Sequence, residues 1–142
     1  MTQVNFYTLS SEDSQSRYQF ACRLAEKAVA LGHRVLIQTE SSAIARQLDD
    51  LLWQFKPASF LPHAQISAES GPVTEPVSIA ADPSVVNEGD VLINLGAKAC
   101  QVPEQFNRIN EILSSDPDVL KAGRASYRYY QSKGLQPETH KL

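Results

Sequence analysis

The sequence predicts a Rossmann-like α/β fold: a mainly parallel sheet flanked by helices, lacking the glycine loop that binds phosphate. Three observations lead there. Strand-length apolar runs alternate with longer stretches of helical period. The joins between the first four elements are short, as in crossover units of a parallel sheet. Arg34–Thr39 and Val91–Leu95 are apolar almost without interruption, the composition of strands covered on both faces. With 142 residues, 42% of them hydrophobic, the chain suits one compact domain over 1–142. Such a domain needs no disulfide or metal to complete its core.

Each element has its own grounds. Val4–Leu9 (V-N-F-Y-T-L) has the β-branched and aromatic content of a strand. The polar stretch Ser10–Ser16 offers N-caps for a helix over about Ser14–Leu31, with Ala21, Leu24, Ala28 and Leu31 on its inner face and Gly32 as its stop. Arg34–Thr39 is the second strand. Ser41 or Ser42 can cap the next helix, where Ile44, Leu48, Leu51, Leu52 and Phe55 form the clearest amphipathic stripe. Lys56–Pro76, with Pro57, Pro62, Gly71, Pro72 and Pro76, reads as a long connection. Val77–Ala81 and Val91–Leu95 read as strands. Glu104–Leu113 is expected to be helical, with Phe106, Ile109 and Leu113 facing inward, and a last helix to run from Pro117 to Lys133 until Gly134 stops it.

Composition narrows the function. A net charge of −3 does not suit a protein that must itself neutralise many phosphates. Cys22 and Cys100 form no C-x-x-C unit and read as reduced core thiols, which suits the cytoplasm. No apolar run nears the roughly 18 residues of a membrane span, and the amino terminus has no signal-peptide pattern. A cytoplasmic protein is expected.

The chemistry of an enzyme is missing. The first strand-to-helix turn, Leu9–Ser14, has no glycine and carries Glu12 and Asp13, which repel phosphate. His33, His63 and His140 stand at no metal-ligand spacing, and His33 reads as a surface residue at a helix end. Asp49 and Asp50 read as solvated charges on the second helix. No nucleophile, base and oxyanion donor assemble, so neither metal, cofactor nor catalysis is expected. A small nucleotide-binding or enzymatic α/β domain using the sheet's carboxyl edge is the alternative.

Two features go beyond plain packing. Trp53 points about 150° away from the stripe of its helix, counting 100° per residue. Either its indole folds over the following loop, or with Phe60, Leu61, Pro62 and His63 it forms an apolar docking patch. The second feature is the cationic carboxyl end, with Lys121, Arg124, Arg128, Lys133 and Lys141 against Glu138 and the terminal carboxylate, and Tyr127, Tyr129 and Tyr130 among them. Leu120, Arg124 and Tyr127 share one helix face. A guanidinium beside a ring suits a peptide's carboxyl terminus. The same residues also fit a helix with cations in its last turns and tyrosines over the core, and, less well, direct stacking of single-stranded nucleic acid.

The order and spacing of several segments resemble the chi subunit family of the bacterial DNA polymerase III clamp-loader complex. They are Asn5–Leu9, Arg34–Ile37, Leu48–Trp53 with Ser59–His63, Gly89–Leu95, and Arg124–Tyr130 followed by Gly134 and Thr139–His140. The resemblance spans almost the whole chain. It implies a non-catalytic replisome adaptor that binds the acidic, phenylalanine-ended tail of single-stranded DNA-binding protein and reaches the clamp loader through the psi subunit. By position, it implies that Arg124 pairs with the tail's terminal carboxylate. Tyr127, Leu113 and Leu135 line the pocket for its last ring, Thr139 lies close by, and Lys121 and Arg128 attract its acidic residues. Trp53, Phe60, Leu61, Pro62 and His63 belong to the psi-facing surface. Gly123 stands where the family often has alanine, which is expected to loosen that turn by about 1 kcal/mol. Leu120 and Ser126 replace basic residues common in the family, so weaker tail binding is expected.

Overall fold

The computed structural model describes residues 2–54, 63–66, 75–81 and 90–142. Strand β1 (Gln3–Thr8) leads into α1 (Ser14–Ala30), then β2 (Val35–Gln38) and α2 (Ser42–Gln54). Strands β3 (His63–Ile66), β4 (Val77–Ala80) and β5 (Val91–Asn94) follow, then a 3₁₀ turn over Pro103–Gln105 and β6 (Arg108–Leu113). Helix α3 (Pro117–Ser132) and β7 (Glu138–Lys141) complete the described chain. The seven strands form one sheet in the order β3-β4-β2-β5-β6-β1-β7, and every pairing is parallel. The fold is α/β, as the sequence predicts.

Alternation along the strands divides the core between the two faces of the sheet. On one face Val35, Ile37, Val77, Ile79, Val91, Ile93 and Ile112 pack beneath α1 and α2, meeting Tyr18, Ala21, Cys22, Ala25, Leu48 and Leu52. On the other, Val4, Phe6, Leu36, Leu92, Ile109 and Leu113 pack beneath α3 and its Tyr130. Local chemistry sets the helix limits. Asp13 caps α1 by accepting from the Gln15 N–H at 3.0 Å, and Ser41 caps α2 by accepting from the Ile44 N–H at 3.2 Å. After α1 and α3 the chain turns through Gly32 (φ +88°) and Gly134 (φ +81°), a region that glycine enters without steric cost.

Four expectations need correction. Glu104–Leu113 is not helical: a 3₁₀ turn and strand β6 stand there, wedged between β5 and β1. The spacing of Phe106, Ile109 and Leu113 fits a helix by coincidence. Asn110 and Glu111, both buried, interrupt the apolar run that would mark a central strand. Leu31 is 70% exposed, because α1 ends one residue earlier and helical spacing no longer sets its direction. Strand β3 lies inside the proline-rich connection, and β7 forms in the tail. Asp49 is half-buried, whereas Asp50 is exposed as expected. Cys22 is fully buried, and burial pushes its thiol up to about 12. Cys100 is half-buried and pushed up to about 11 for the same reason, and both cysteines are free. Among the described residues no helix is long and apolar enough to cross a membrane.

Candidate protein-binding site

The first strand-to-helix turn carries a carboxylate where a nucleotide-binding fold would hold a phosphate. Asp13 takes the Gln15 N–H, and the Ser11 hydroxyl accepts from the Asp13 N–H at 3.0 Å. The start of α1 is therefore already occupied by the chain's own acid.

Helix α3 is built to present one flank beside the sheet edge. Asp116 caps it by accepting from the Asp118 N–H at 3.1 Å, and Pro117 fits the first turn, where its missing N–H costs nothing. Gly123, Ser126 and Tyr130 are buried against the sheet. Tyr127 lies at the edge of that contact, half-buried, with its ring centroid 5.3 Å from Phe6. Its hydroxyl donates to the Pro137 carbonyl at 3.3 Å, which ties the chain after α3 to the helix. Leu135 packs on the same core cluster. Strand β7 then pairs with β1, which sets Thr139 opposite Phe6. Arg124 sits one turn before Tyr127 and is exposed; among the described residues it has no ion pair.

The structure thus gathers Arg124, Tyr127, Leu135 and Thr139 along the flank between α3 and β7. Leu113 belongs to the floor: it is buried on β6, opposite Thr8, directly under Gly123. Lys121 and Arg128 are exposed and lie about 60° and 40° further round the helix from Arg124, on its solvent side. Lys133 is turned elsewhere, its Nζ 5.5 Å from the centroid of the Tyr129 ring. Trp53 falls on the backbone of α2, but its side chain lies outside the described residues, as do Phe60, Leu61 and Pro62. Only the strand backbone is described for His63.

Sequence reasoning missed two polar groups. His140 stacks on Tyr7 with centroids 4.9 Å apart and meets the Asn5 amide oxygen at 3.0 Å, holding β7 against β1. Glu111, only 2% exposed, accepts hydrogen bonds at one oxygen from Tyr130 (2.7 Å) and Asn94 (2.8 Å). Burial pushes its carboxyl up to about 7, although both hydrogen bonds and Arg17 favour the charged form. The only signal in the sequence was an acid inside an apolar run, Ile109 to Leu113. His33 is exposed, as expected, 3.6 Å from Asp90.

A family model described as DNA polymerase III chi subunit, HolC, matches residues 1–138. The chain belongs to the DNA polymerase III chi subunit family. A relative from Pseudomonas aeruginosa named DNA polymerase III subunit chi is 35% identical, covering 100% of this chain and 98% of the relative. Chi subunits from Haemophilus influenzae and Escherichia coli are 28% and 26% identical, each over 98% of this chain and 96% and 97% of their own lengths. The chi-family fold is also similar to the crystal structure of T4 UvsW. There the TM-score is 0.66 at 10% identity, over 99% of this chain and 42% of that one. That likeness is one of fold alone.

Proposed function

We propose that this chi-family protein is a non-catalytic cytoplasmic adaptor of the replisome. It binds the acidic, phenylalanine-ended carboxyl tail of single-stranded DNA-binding protein and joins it to the clamp loader through psi. One observation carries the tail site: an exposed guanidinium without an ion pair among the described residues, Arg124, stands one turn from a half-buried ring, Tyr127, beside an edge strand. A terminal carboxylate pairs with the guanidinium in a charge-assisted geometry. The terminal ring packs against Tyr127, with Leu113 and Leu135 supplying apolar surface and Thr139 the strand side. Lys121 and Arg128 attract the tail's acidic residues from the solvent side. Trp53, Phe60, Leu61, Pro62 and His63 form the psi-facing patch.

The test is anisotropy with a labelled acidic peptide ending in phenylalanine. Removing one partner of an interfacial charge pair costs about 2–4 kcal/mol, so Arg124→Ala is expected to weaken binding by well over tenfold. Arg124 is exposed, so the melting temperature should not change. Equal affinity in a folded variant would overturn the pocket assignment. Loss of psi co-purification in Trp53→Ala, with tail binding intact, would separate the two surfaces. The alternative of a nucleotide site predicts a rise in melting temperature with a mono- or dinucleotide; Asp13 at the head of α1 argues for no rise.

A further inference from the structure

A cavity of about 320 Å³ opens at the carboxyl ends of β2, β5 and β6, between α1 and the first half of α3. Apart from Leu113, which floors both, it lies on the other flank of α3 from the proposed tail site. At 100° per residue, its lining residues Ala122 and Ser126 each project about 160° from Arg124. This is the edge where open α/β sheets bind ligands.

Two of its lining side chains are charged and buried. Arg17 is 9% exposed, its Nε donating to the Ile112 carbonyl at 3.0 Å and Nη2 to the Leu95 carbonyl at 3.1 Å. Glu111 is 2% exposed, and both of its hydrogen bonds, from Tyr130 and Asn94, fall on Oε2. Among the described residues no hydrogen bond reaches Oε1, although Glu111 lines the cavity. Glu40 and Asp118, both exposed, also line it, and Leu113 and Val119 give it an apolar wall.

Three carboxyl groups thus face one guanidinium, which excludes an anion by simple repulsion. The amino terminus of α3 does not offset this, because Asp116 already takes its Asp118 N–H. Among the described residues no three acids gather closely enough to ligate a metal ion. Spread carboxyl groups around an apolar wall instead match an elongated cation with several N–H donors. Such a cation can donate to Oε1 where it faces the cavity and offsets the cost of burying the Glu111 charge.

We propose that this crevice binds small organic cations, an amine or guanidinium on a short alkyl stem, with Glu111 at the base and Glu40 and Asp118 around the rim. It shares only Leu113 with the tail site, and none of its three acids takes part in the tail reading.

The probe is agmatine, titrated into the full ¹⁵N-labelled chain. Saturable amide shifts are expected at Gly96, Ala97, Gly123 and Ser126, and sodium chloride at the same ionic strength should not reproduce them. Glu111→Gln keeps an acceptor for Tyr130 and Asn94 but loses the charge, and should weaken agmatine about tenfold or more. Should that variant misfold, Glu40→Gln with Asp118→Asn changes only exposed side chains and should weaken agmatine likewise. Arg124→Ala should bind agmatine as wild type does. The proposal fails if agmatine gives no saturable shift, if sodium chloride reproduces the shifts, or if the acid variants that fold bind as tightly as wild type.

Discussion

Gly123 decides how closely α3 sits on the sheet. A Cβ built there falls 2.5 Å from Leu113 Cδ1, 3.1 Å from Cδ2 and 3.3 Å from Cγ. Any side chain there makes Leu113 shift, so the glycine serves packing, where its sequence position alone read as a loosened helical turn. Overpacking costs about 1–3 kcal/mol, whereas alanine regains roughly 1 kcal/mol of helix propensity. Gly123→Ala should therefore lower the urea midpoint, and a midpoint at or above wild type would mean that Leu113 swings aside freely. Glu111 gives a second prediction. Burial pushes its carboxyl up to about 7 from an ordinary value of 4.5, so the folded state holds the proton more tightly. Stability from this group is complete below pH 4.5 and is lost as pH rises through about 7, by an amount on the order of 3 kcal/mol. Urea unfolding at acid and alkaline ends of that window should show the slope in wild type and a flatter response in Glu111→Gln. Equal slopes would assign the pH dependence to other groups.

Among the elements, β5, β6 and β1 are interior strands of the sheet, paired on both sides, while β7 is an edge with three of its four residues exposed. Amide exchange should therefore be slowest over Val4–Phe6, Leu92–Ile93 and Ile109–Ile112, and far faster on the outer side of β7. Comparable protection in β7 would mean that something covers the edge. The same contrast explains which elements could be read from the sequence. β2, β4 and β5 are apolar because both of their faces are buried, so burial writes itself into their composition. Helices α1 and α3 were placed correctly by caps and by Gly32 and Gly134, which act locally. β6 was misread because its buried acid, Glu111, is satisfied by partners distant in sequence, Tyr130 and Asn94, while its buried amide, Asn110, meets Arg108 two residues away on the same strand. β7 gave no signal, since Glu138-Thr139-His140-Lys141 buries almost no side chain and is held by backbone pairing with β1 and by the contacts of His140. The residues proposed for the tail were found as helix neighbours, Arg124 and Tyr127. That Thr139 sits opposite Phe6 follows from strand register, which the sequence does not display.

Over the whole molecule, a net charge of −3 hides a strong division of sign. Lys121, Arg124 and Arg128 line the outer and edge faces of α3, and Lys141 stands on the neighbouring edge strand; all four are exposed. Glu138 is the nearby acid on β7, and it lies 3.9 Å from His140. The acidic surface elsewhere opposes a long polyanion, which must run past it, whereas a short acidic peptide can engage the cationic flank alone. Peptide binding should therefore depend on salt more through approach and terminal pairing than through ring packing. The screening length shrinks from about 10 Å at 0.1 M salt to about 3 Å at 1 M, so affinity for the peptide should fall about tenfold or more across that range. An uncharged peptide with the same final phenylalanine should bind weakly throughout and lose far less. If the acidic peptide kept its affinity at high salt, ring burial against Tyr127 would be the main source of binding, and Arg124 would serve for orientation more than for attraction.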